Sequence, residues 1–379
     1  MFIILAFLLI SFSYLELNKS NAISGKYHYA EKLVFKILFI YISFFLFLLT
    51  AFRYNVGTDW PVYYKYFCNT KAYKMELGFK FLNNAFESFF LLQLFCSIIT
   101  CLFIYRNIQR YSVYPILTLT LYYLTYCFEQ LSFTRQYLAI GILCVGIPLI
   151  EKKQFFGWII IVAIATLLHS TALLGFPLYF TLNRSIKKKF AWLFLFTYLF
   201  LYFFGKILIY IAISFVLAHI PLPVFINDKL VFYIMSKFNT VAEFSSGLGF
   251  LLKTFVYCII IVLYRYQNKE DKYNILNFLI AICLSSIGRN FLIFARLAII
   301  YLVCGNGYNA YALLFTSKRI DKKLKTILFL FFFLLLSLCF FKNFWDIHYS
   351  DVGSKKLYEL FTPFTTYIFD FNDYKYLGR

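Results

Sequence analysis

The chain has 379 residues, of which 62% are hydrophobic, 23% are aromatic and only 14% are charged. A globular domain carries about 25% charged residues, so a soluble protein of this composition would lack a solvated surface. Apolar runs of 17 or more residues recur from end to end, and a helix needs roughly 20 such residues to cross a bilayer. The sequence therefore predicts an all-α, polytopic integral membrane protein with about 11–12 transmembrane or half-spanning helices and no soluble domain.

The formal net charge is +20, from 37 Lys and Arg against 17 Asp and Glu. The basic residues lie in short clusters between apolar runs, at 152–153, 184–189 and 318–325. Such clusters are typical of loops that face the cytoplasm and anionic lipid, so the charge indicates membrane lipids and not nucleic acid as partners. The nine cysteines form no CxxC pair, and only Cys68 falls in a predicted loop. Neither a metal site, a disulfide framework nor a cofactor is therefore predicted.

The predicted spans are 2–17, 33–53, 86–105, 112–130, 134–150, 155–182, 190–218, 248–266, 274–289, 291–315 and 326–342. The first lacks a basic region before it and is interpreted as a retained span, although Ala22-Ile23-Ser24 leaves cleavage open. We find no internal repeat and no linker between domains, so residues 1–379 are predicted to form a single membrane domain.

Basic residues set the predicted orientation, with the N-terminus outside. They flank 155–182 on both sides, so this segment is predicted to enter and return on one face as a folded-back helical pair that turns at His169. Irregular backbone at membrane depth is tolerated where protein or a wet cavity surrounds it. The outer side then carries the loop 54–85, with a short interfacial helix, and the tail 343–379.

Four arginines lie outside the predicted cytoplasmic loops, so the positive-inside rule does not account for them: Arg53, Arg135, Arg289 and Arg296. An arginine in a span costs at least about 2.5 kcal/mol on insertion scales, so it normally faces a cavity or a partner. Each one alone is also compatible with snorkelling to the interface. All four are predicted on the outer side, and arginine suits planar recognition of phosphate or carboxylate oxygens, which favours an anion site.

Residues 53–67 form the most unusual loop. Gly57 permits a tight turn there. Thr58 or Asp59 is placed to cap a following helix whose first turn accepts Pro61.

Two interpretations of this loop remain open from spacing alone. One is a capped interfacial helix with an aromatic belt. The other points Asp59 into an outer cavity, where three aromatic side chains offer faces for sugar rings: Trp60, Tyr63 and Tyr64.

Two further polar positions interrupt apolar segments. Arg135 and Gln136 open a predicted helix, where their donors and the helix dipole favour an anion. His169 is followed by Ser170 and Thr171. It belongs either to a polar turn in which Ser170 or Thr171 caps the returning half-helix or, as a neutral imidazole, it is a general base.

These motifs together resemble the EpsG-type branch of the Wzy polysaccharide polymerases over about residues 50–300. The matching runs are Arg53…Val56-Gly57-Thr58-Asp59…Tyr63-Tyr64, Arg135-Gln136…Ala139, His169-Ser170-Thr171-Ala172-Leu173…Pro177 and Phe294-Ala295-Arg296. A late Thr362-Pro363-Phe364 resembles the family's proline-aromatic element, with Phe364 where Tyr is expected.

The resemblance implies a metal-independent glycosyltransferase of the bacterial inner membrane that joins undecaprenyl-pyrophosphate-linked repeat units at the outer face. A chain-length regulator and a flippase are the protein partners expected of such an enzyme. We predict a base among Asp59, His169 and Glu129. The predicted catalytic arginines are Arg135, Arg289 and Arg296. The predicted substrate contacts are Arg53, Gly57, Thr58, Trp60, Tyr63, Tyr64, Gln136 and Ser170.

Two other functions remain as alternatives. A transporter or flippase of lipid-linked sugars would also use arginines at membrane depth, but such proteins are often built from repeats, and the sequence shows none. An O-antigen ligase-like enzyme would carry a large outer loop before its late spans, whereas the longest loops here have about 30 residues.

Overall fold

A computed structural model gives the fold. It describes residues 2–22, 28–69, 75–182, 184, 186–219, 247–264, 273–288, 292–316, 320–345, 347–350 and 353–356. Arg289 and the Thr362-Pro363-Phe364 run lie outside the described residues.

Helices make up most of the described chain. They are α1 (Phe2–Ala22), α2 (His28–Ala51), α3 (Trp60–Cys68), α4 (Leu77–Ala85), α5 (Phe89–Tyr111), α6 (Pro115–Ser132), α7 (Thr134–Glu151), α8 (Phe155–Leu168), a 3-10 helix (Ser170–Gly175), α9 (Leu178–Thr181), α10 (Lys188–His219), α11 (Gly247–Tyr264), α12 (Ile275–Gly288), α13 (Leu292–Val303), a second 3-10 helix (Gly307–Ala312), α14 (Leu313–Thr316) and α15 (Lys322–Trp345). The predicted outer loop 54–85 holds two helices, α3 and α4, where one was expected. A short antiparallel hairpin, β1 (Ile347–Ser350) with β2 (Gly353–Lys356), opens the predicted tail.

The prediction of an all-α polytopic membrane protein is confirmed. Among the described residues, five helices are long and apolar enough to cross a bilayer, and shorter apolar helices accompany them. Large apolar side chains point outward from these helices; Phe196, Phe203 and Ile211 of α10, for example, are 66%, 64% and 61% exposed. A surface this apolar is stable against lipid and not against water.

The described residues form two compact units, 1–180 with 315–379 and 181–314. The prediction of a single membrane domain concerns how the whole chain lies in the bilayer, and it stays a prediction.

In the first unit, α1 packs antiparallel against α6. The hydroxyl groups of Ser13 and Thr120 lie 2.7 Å apart in a shared hydrogen bond. Closer to the start of α6, the Glu16 carboxylate accepts hydrogen bonds from the backbone N–H groups of Ile116 (3.2 Å) and Leu117 (2.9 Å). The first N–H groups of a helix lack partners within the helix, so this buried carboxylate supplies the missing acceptors.

Contacts at the ends of α5 define the two ends of the first unit. Near the start of α5, Gln93 donates from Nε2 to the carbonyl oxygens of Ala51 and Arg53, at 2.8 Å each. At the finish of α5, Tyr111 donates to the Glu151 carboxylate at the finish of α7, at 2.8 Å. Helices α5 and α7 therefore run parallel, and α2 runs against them. We call the end that holds Gln93 the site end and the end that holds Glu151 the opposite end.

The segment predicted to fold back begins with α8, whose 14 residues are about 21 Å long, too short to cross a bilayer alone. The chain breaks at His169 and returns along α8. Trp158 donates from Nε1 to the carbonyl oxygen of Phe176 at 3.2 Å, and the Tyr179 hydroxyl donates to the carbonyl oxygen of Lys153 at 2.9 Å. Both ends of the segment therefore lie together at the opposite end, and His169 lies at the turn.

In the second unit, α12 packs against α10 and α13. The Ser286 hydroxyl of α12 donates to the carbonyl oxygen of Tyr198 in α10 at 2.8 Å. The side chains of Tyr198 and Tyr257 meet edge to face, with ring centroids 5.4 Å apart, which joins α11 to the same core.

The predicted span 291–315 is not one continuous helix, because the chain is broken after α13. The two halves of the apolar stretch meet at an angle of 69°. Asn306 adopts a left-handed backbone conformation with φ of 54°. The buried Asn277 donates from Nδ2 to the carbonyl oxygen of Gly305 at 2.9 Å, which gives the broken helix a partner for its backbone.

The fold-back predicts which introduced cysteines share a face of the membrane. In a cysteine-free background, Asn84→Cys in the last turn of α4 and Ser170→Cys at the turn of the folded-back segment should react with an impermeant thiol reagent from the same side. Lys152→Cys should react from the other side. All three native side chains are exposed. Labelling of Ser170→Cys together with Lys152→Cys, and not with Asn84→Cys, would contradict the fold-back.

Candidate functional site

The turn between α2 and α3 is fixed by its backbone. Gly57 has φ of +107°, a backbone conformation that residues other than glycine rarely adopt. A Cβ atom added there would lie 2.6 Å from the carbonyl oxygen of Leu131, so the turn also touches the end of α6. The backbone N–H of Thr58 donates to the Ser132 hydroxyl at 3.2 Å. Gly57 and Thr58 therefore pack the loop against the end of α6 and fix the position of Asp59.

Arg53 is 2% exposed, and its guanidinium hydrogen-bonds to other groups of the protein. One terminal nitrogen donates to the carbonyl oxygen of Thr50 at 2.6 Å and the other donates to the Thr134 hydroxyl at 2.8 Å. Arg53 thus ties the end of α2 to the start of α7. A direct contact between Arg53 and substrate, as predicted, would require these bonds to be exchanged.

Asp59 occupies the N-cap position of α3, but its side chain makes no capping hydrogen bond. Instead its Oδ1 accepts a hydrogen bond from the Thr58 hydroxyl at 3.1 Å. The capping interpretation of Asp59 therefore does not hold in this structure. Its carboxylate lies close enough to Arg135 to interact with it electrostatically.

The aromatic residues of α3 pack mainly against their own surroundings. Trp60 is 6% exposed, stacks on Tyr64 at a centroid distance of 5.4 Å, and donates from Nε1 to Gln93 Oε1 at 3.0 Å. Tyr63 is 5% exposed and packs against Phe79. The prediction that Trp60 and Tyr63 offer open faces to sugar rings does not match this burial. Of the three, only Tyr64 is half-buried.

Arg135 lies at the start of α7, at the site end. It forms an ion pair with Glu76 of the loop 54–85, with the guanidinium NH1 atom 2.5 Å from Oε2. Its guanidinium carbon lies 5.5 Å from the ring centroid of Tyr63 and 5.7 Å from that of Phe79. Cation–π contacts of this kind hold a guanidinium in place without using its hydrogen-bond donors.

Glu76 also reaches the turn of the folded-back segment. Its Oε1 accepts a hydrogen bond from the backbone N–H of Ser170 at 3.4 Å. Burial raises the pKa of the Glu76 carboxyl, but Arg135 and His169 outweigh that effect and hold its pKa below the ordinary value, so it is ionised at neutral pH. One carboxylate therefore joins the loop, the start of α7 and the turn.

His169 acts as the N-cap of the first 3-10 helix. Its Nδ1 atom lies 2.7 Å from the Thr171 hydroxyl and 3.4 Å from the backbone nitrogen of Thr171, which donates to it. The turn is held close to the outer loop because α4 packs on α8: a Cβ added to Gly78 would lie 2.8 Å from the carbonyl oxygen of Leu167. The cap is therefore His169 itself, where Ser170 or Thr171 was expected, and His169 interacts electrostatically with Glu76.

Three predicted site residues remain: Gln136, Arg296 and Arg289. Gln136 is buried at 2% exposure, next to Arg135 in α7. Arg296 is half-buried in α13 of the second unit. Arg289 lies outside the described residues, so its predicted place in the anion site stays a prediction.

Sequence reasoning missed Glu76, Gln93, Ser132 and Thr134. The polar Gln93 within an apolar run was a usable signal, because an amide at membrane depth needs partners. Glu76 carried no such signal, since an acidic residue in a loop is ordinary. Among the described residues, no three His, Cys, Asp or Glu side chains are grouped to hold a metal ion.

The fold and this cluster define a polytopic membrane protein with an arginine–carboxylate site at one end of a helical unit. The chain belongs to the EpsG family, which it matches over residues 36–365. EpsG is a family of Wzy-like polymerases, which suggests a polysaccharide polymerase-like function. No curated protein and no solved structure matches the chain.

The turn at Gly57 predicts a stability defect. Gly57→Ala should lower the free energy of unfolding by about 1–3 kcal/mol, because it combines a strained φ with a backbone clash. The matched control is Gly205→Ala in α10, where an added Cβ meets nothing closer than 3.8 Å. Thermal unfolding of the purified proteins in detergent checks this. Equal melting temperatures for the two variants would contradict the assignment.

Proposed function

We propose that the protein polymerises a surface polysaccharide by joining oligosaccharide repeat units carried on undecaprenyl pyrophosphate. The observation that carries the proposal is the cluster of Arg135, Glu76, Asp59 and His169. Three of the four belong to the motifs that resemble the Wzy-type enzymes, and they come from a loop, a helix start and a turn. Family membership supports the same class of function.

In the proposed reaction, a hydroxyl group of one lipid-linked repeat unit attacks the anomeric carbon of the growing glycan. The bond from that carbon to the pyrophosphate oxygen breaks as the new glycosidic bond forms. The polyprenyl pyrophosphate leaves with the bonding electrons, and the hydroxyl proton passes to a base on the protein.

Arg135 suits the leaving group. A guanidinium donates along a planar edge that matches phosphate oxygens, and it keeps its charge at every relevant pH. Its position at the start of α7 adds the partial positive charge of the helix N-terminus. Preorganised donors of this kind stabilise charge as it develops on a departing oxygen.

Asp59 is the base that this arrangement favours. Its carboxylate makes no capping hydrogen bond, and it interacts electrostatically with Arg135. With a pyrophosphate on Arg135, the anomeric carbon would lie on the side of this carboxylate. His169 is the second candidate, but its Nδ1 atom is engaged by Thr171. Each would take the hydroxyl proton as a general base.

The proposed location is the bacterial inner membrane, with the site end facing outward. The proposed substrates are lipid-linked oligosaccharides, and the proposed protein partners are a chain-length regulator and a flippase. The basic clusters at 152–153 and 184–189 then flank the folded-back segment on the cytoplasmic side.

Deletion of the gene tests the proposal against its alternatives. Gel analysis of the surface glycan should then show single repeat units in place of long chains, and the native gene should restore the chains. Absence of all repeat units from the surface would indicate a flippase instead. Intact free polymer that is not attached to its acceptor would indicate a ligase.

The role of Asp59 makes a separate prediction. Asp59→Asn keeps the shape and one acceptor oxygen but cannot take up a proton, so polymerisation should fall by about a hundredfold or more. The matched control is Asp321→Asn, an exposed aspartate just before α15, which should leave activity unchanged. The measurement is polymer length in the deletion strain at matched expression. Normal polymer from Asp59→Asn would dismiss Asp59 as the base.

A further inference from the structure

Arg135 is held differently from Arg53. Its guanidinium lies over the rings of Tyr63 and Phe79 and also hydrogen-bonds to the Tyr63 side chain, so three contacts other than Glu76 hold it in position. The side chain is 19% exposed, and that of Glu76 is 20% exposed, so the ion pair lies where an anion from outside can reach it. The partner on that edge is therefore exchangeable.

The present partner is a carboxylate, which offers arginine the same kind of acceptor oxygen as a phosphate does. Glu76 stands at the N-cap position of α4 but makes no capping hydrogen bond there. Its side-chain oxygens instead meet Arg135 and the backbone N–H of Ser170. Its side chain thus contacts other segments of the cluster, while its carbonyl oxygen accepts from the backbone N–H of Lys80 in α4 at 2.9 Å.

A second carboxylate, that of Asp59, also interacts electrostatically with this arginine. A diphosphate approaching the edge would meet net negative charge while Glu76 remained in place. The anion and Glu76 therefore compete for the same donors.

We propose that Glu76 is the resident counter-ion of the diphosphate site, which holds Arg135 in the empty protein and releases its edge to the diphosphate of the lipid-linked donor. This role rests on the proposed function. Once displaced, the carboxylate stays partnered, because the Ser170 N–H is already within 3.4 Å and His169 lies beside it. Donor binding thus moves negative charge from Arg135 towards the turn that carries His169.

Binding of a short polyprenyl diphosphate tests this role. With full-length protein in detergent, farnesyl diphosphate should bind Glu76→Gln about fivefold tighter than wild type, because breaking a partly exposed ion pair removes the competitor. Glu76→Asp should resemble wild type, since it keeps the competing charge. The matched control is Glu87→Gln, an exposed glutamate between α4 and α5, which should not change binding. The donor KM of Glu76→Gln in a polymerisation assay should fall by the same factor.

Weaker or unchanged diphosphate binding by Glu76→Gln, with a lower melting temperature, would show a structural tie and overturn the counter-ion role. If wild type binds the diphosphate and makes polymer, that result leaves the proposed function standing. A wild-type protein that neither binds the diphosphate nor makes polymer would overturn both.

Discussion

The ion pair between Arg135 and Glu76 is the contact on which the cluster depends. It joins the start of α7 to the loop 54–85, and through the second oxygen of Glu76 it reaches the turn at Ser170. Each side chain is about one-fifth exposed, so neither charge is well solvated by itself. Where water is partly excluded, opposite charges attract more strongly than they do in bulk water. The attraction between the two side chains therefore contributes to the position of the loop beside the start of α7.

Buried polar side chains at both ends of the first unit are likewise paired with groups that need a partner. Gln93 is 3% exposed, yet its amide accepts from Trp60 and donates to two backbone carbonyls at the end of α2. Glu16 does the corresponding work at the opposite end, where it supplies acceptors to the first N–H groups of α6. With no water at membrane depth, each of these groups is placed where the backbone lacks a partner.

Hydropathy predicted most of the helices, because length and apolar content are local properties of the sequence. The basic residues on both sides of 155–182, and not hydropathy, predicted the break at His169. Hydropathy assigned 291–315 as one span, although the turn-forming run Gly305-Asn306-Gly307 interrupts it and Asn306 takes a left-handed conformation. The contact of Asn277 with this break comes from another helix, so the local sequence does not report it.

The site was predicted in part, for a related reason. The residue types at Asp59, Arg135 and His169 signalled chemistry, but their partners are set by tertiary contacts. Glu76 lies 59 residues from Arg135 in sequence, and only the packing of α4 on α8 brings it there. The aromatic rings of α3 mostly line the protein interior, which their spacing in the sequence does not report.

Arg53 and Arg135 show how one residue type serves two tasks in the same site. The partners of Arg53 are a backbone carbonyl and the Thr134 hydroxyl, both fixed by the fold, so an anion could displace them only by opening the turn. Thr134 immediately precedes Arg135 in the chain. The hydrogen bond from Arg53 to Thr134 therefore also helps to fix the position of the Arg135 backbone. The partner of Arg135 is the Glu76 side chain, which also contacts the backbone N–H of Ser170. Rigidity at Arg53 and exchange at Arg135 are therefore complementary, since an anion site needs a fixed frame and one edge that can change its partner.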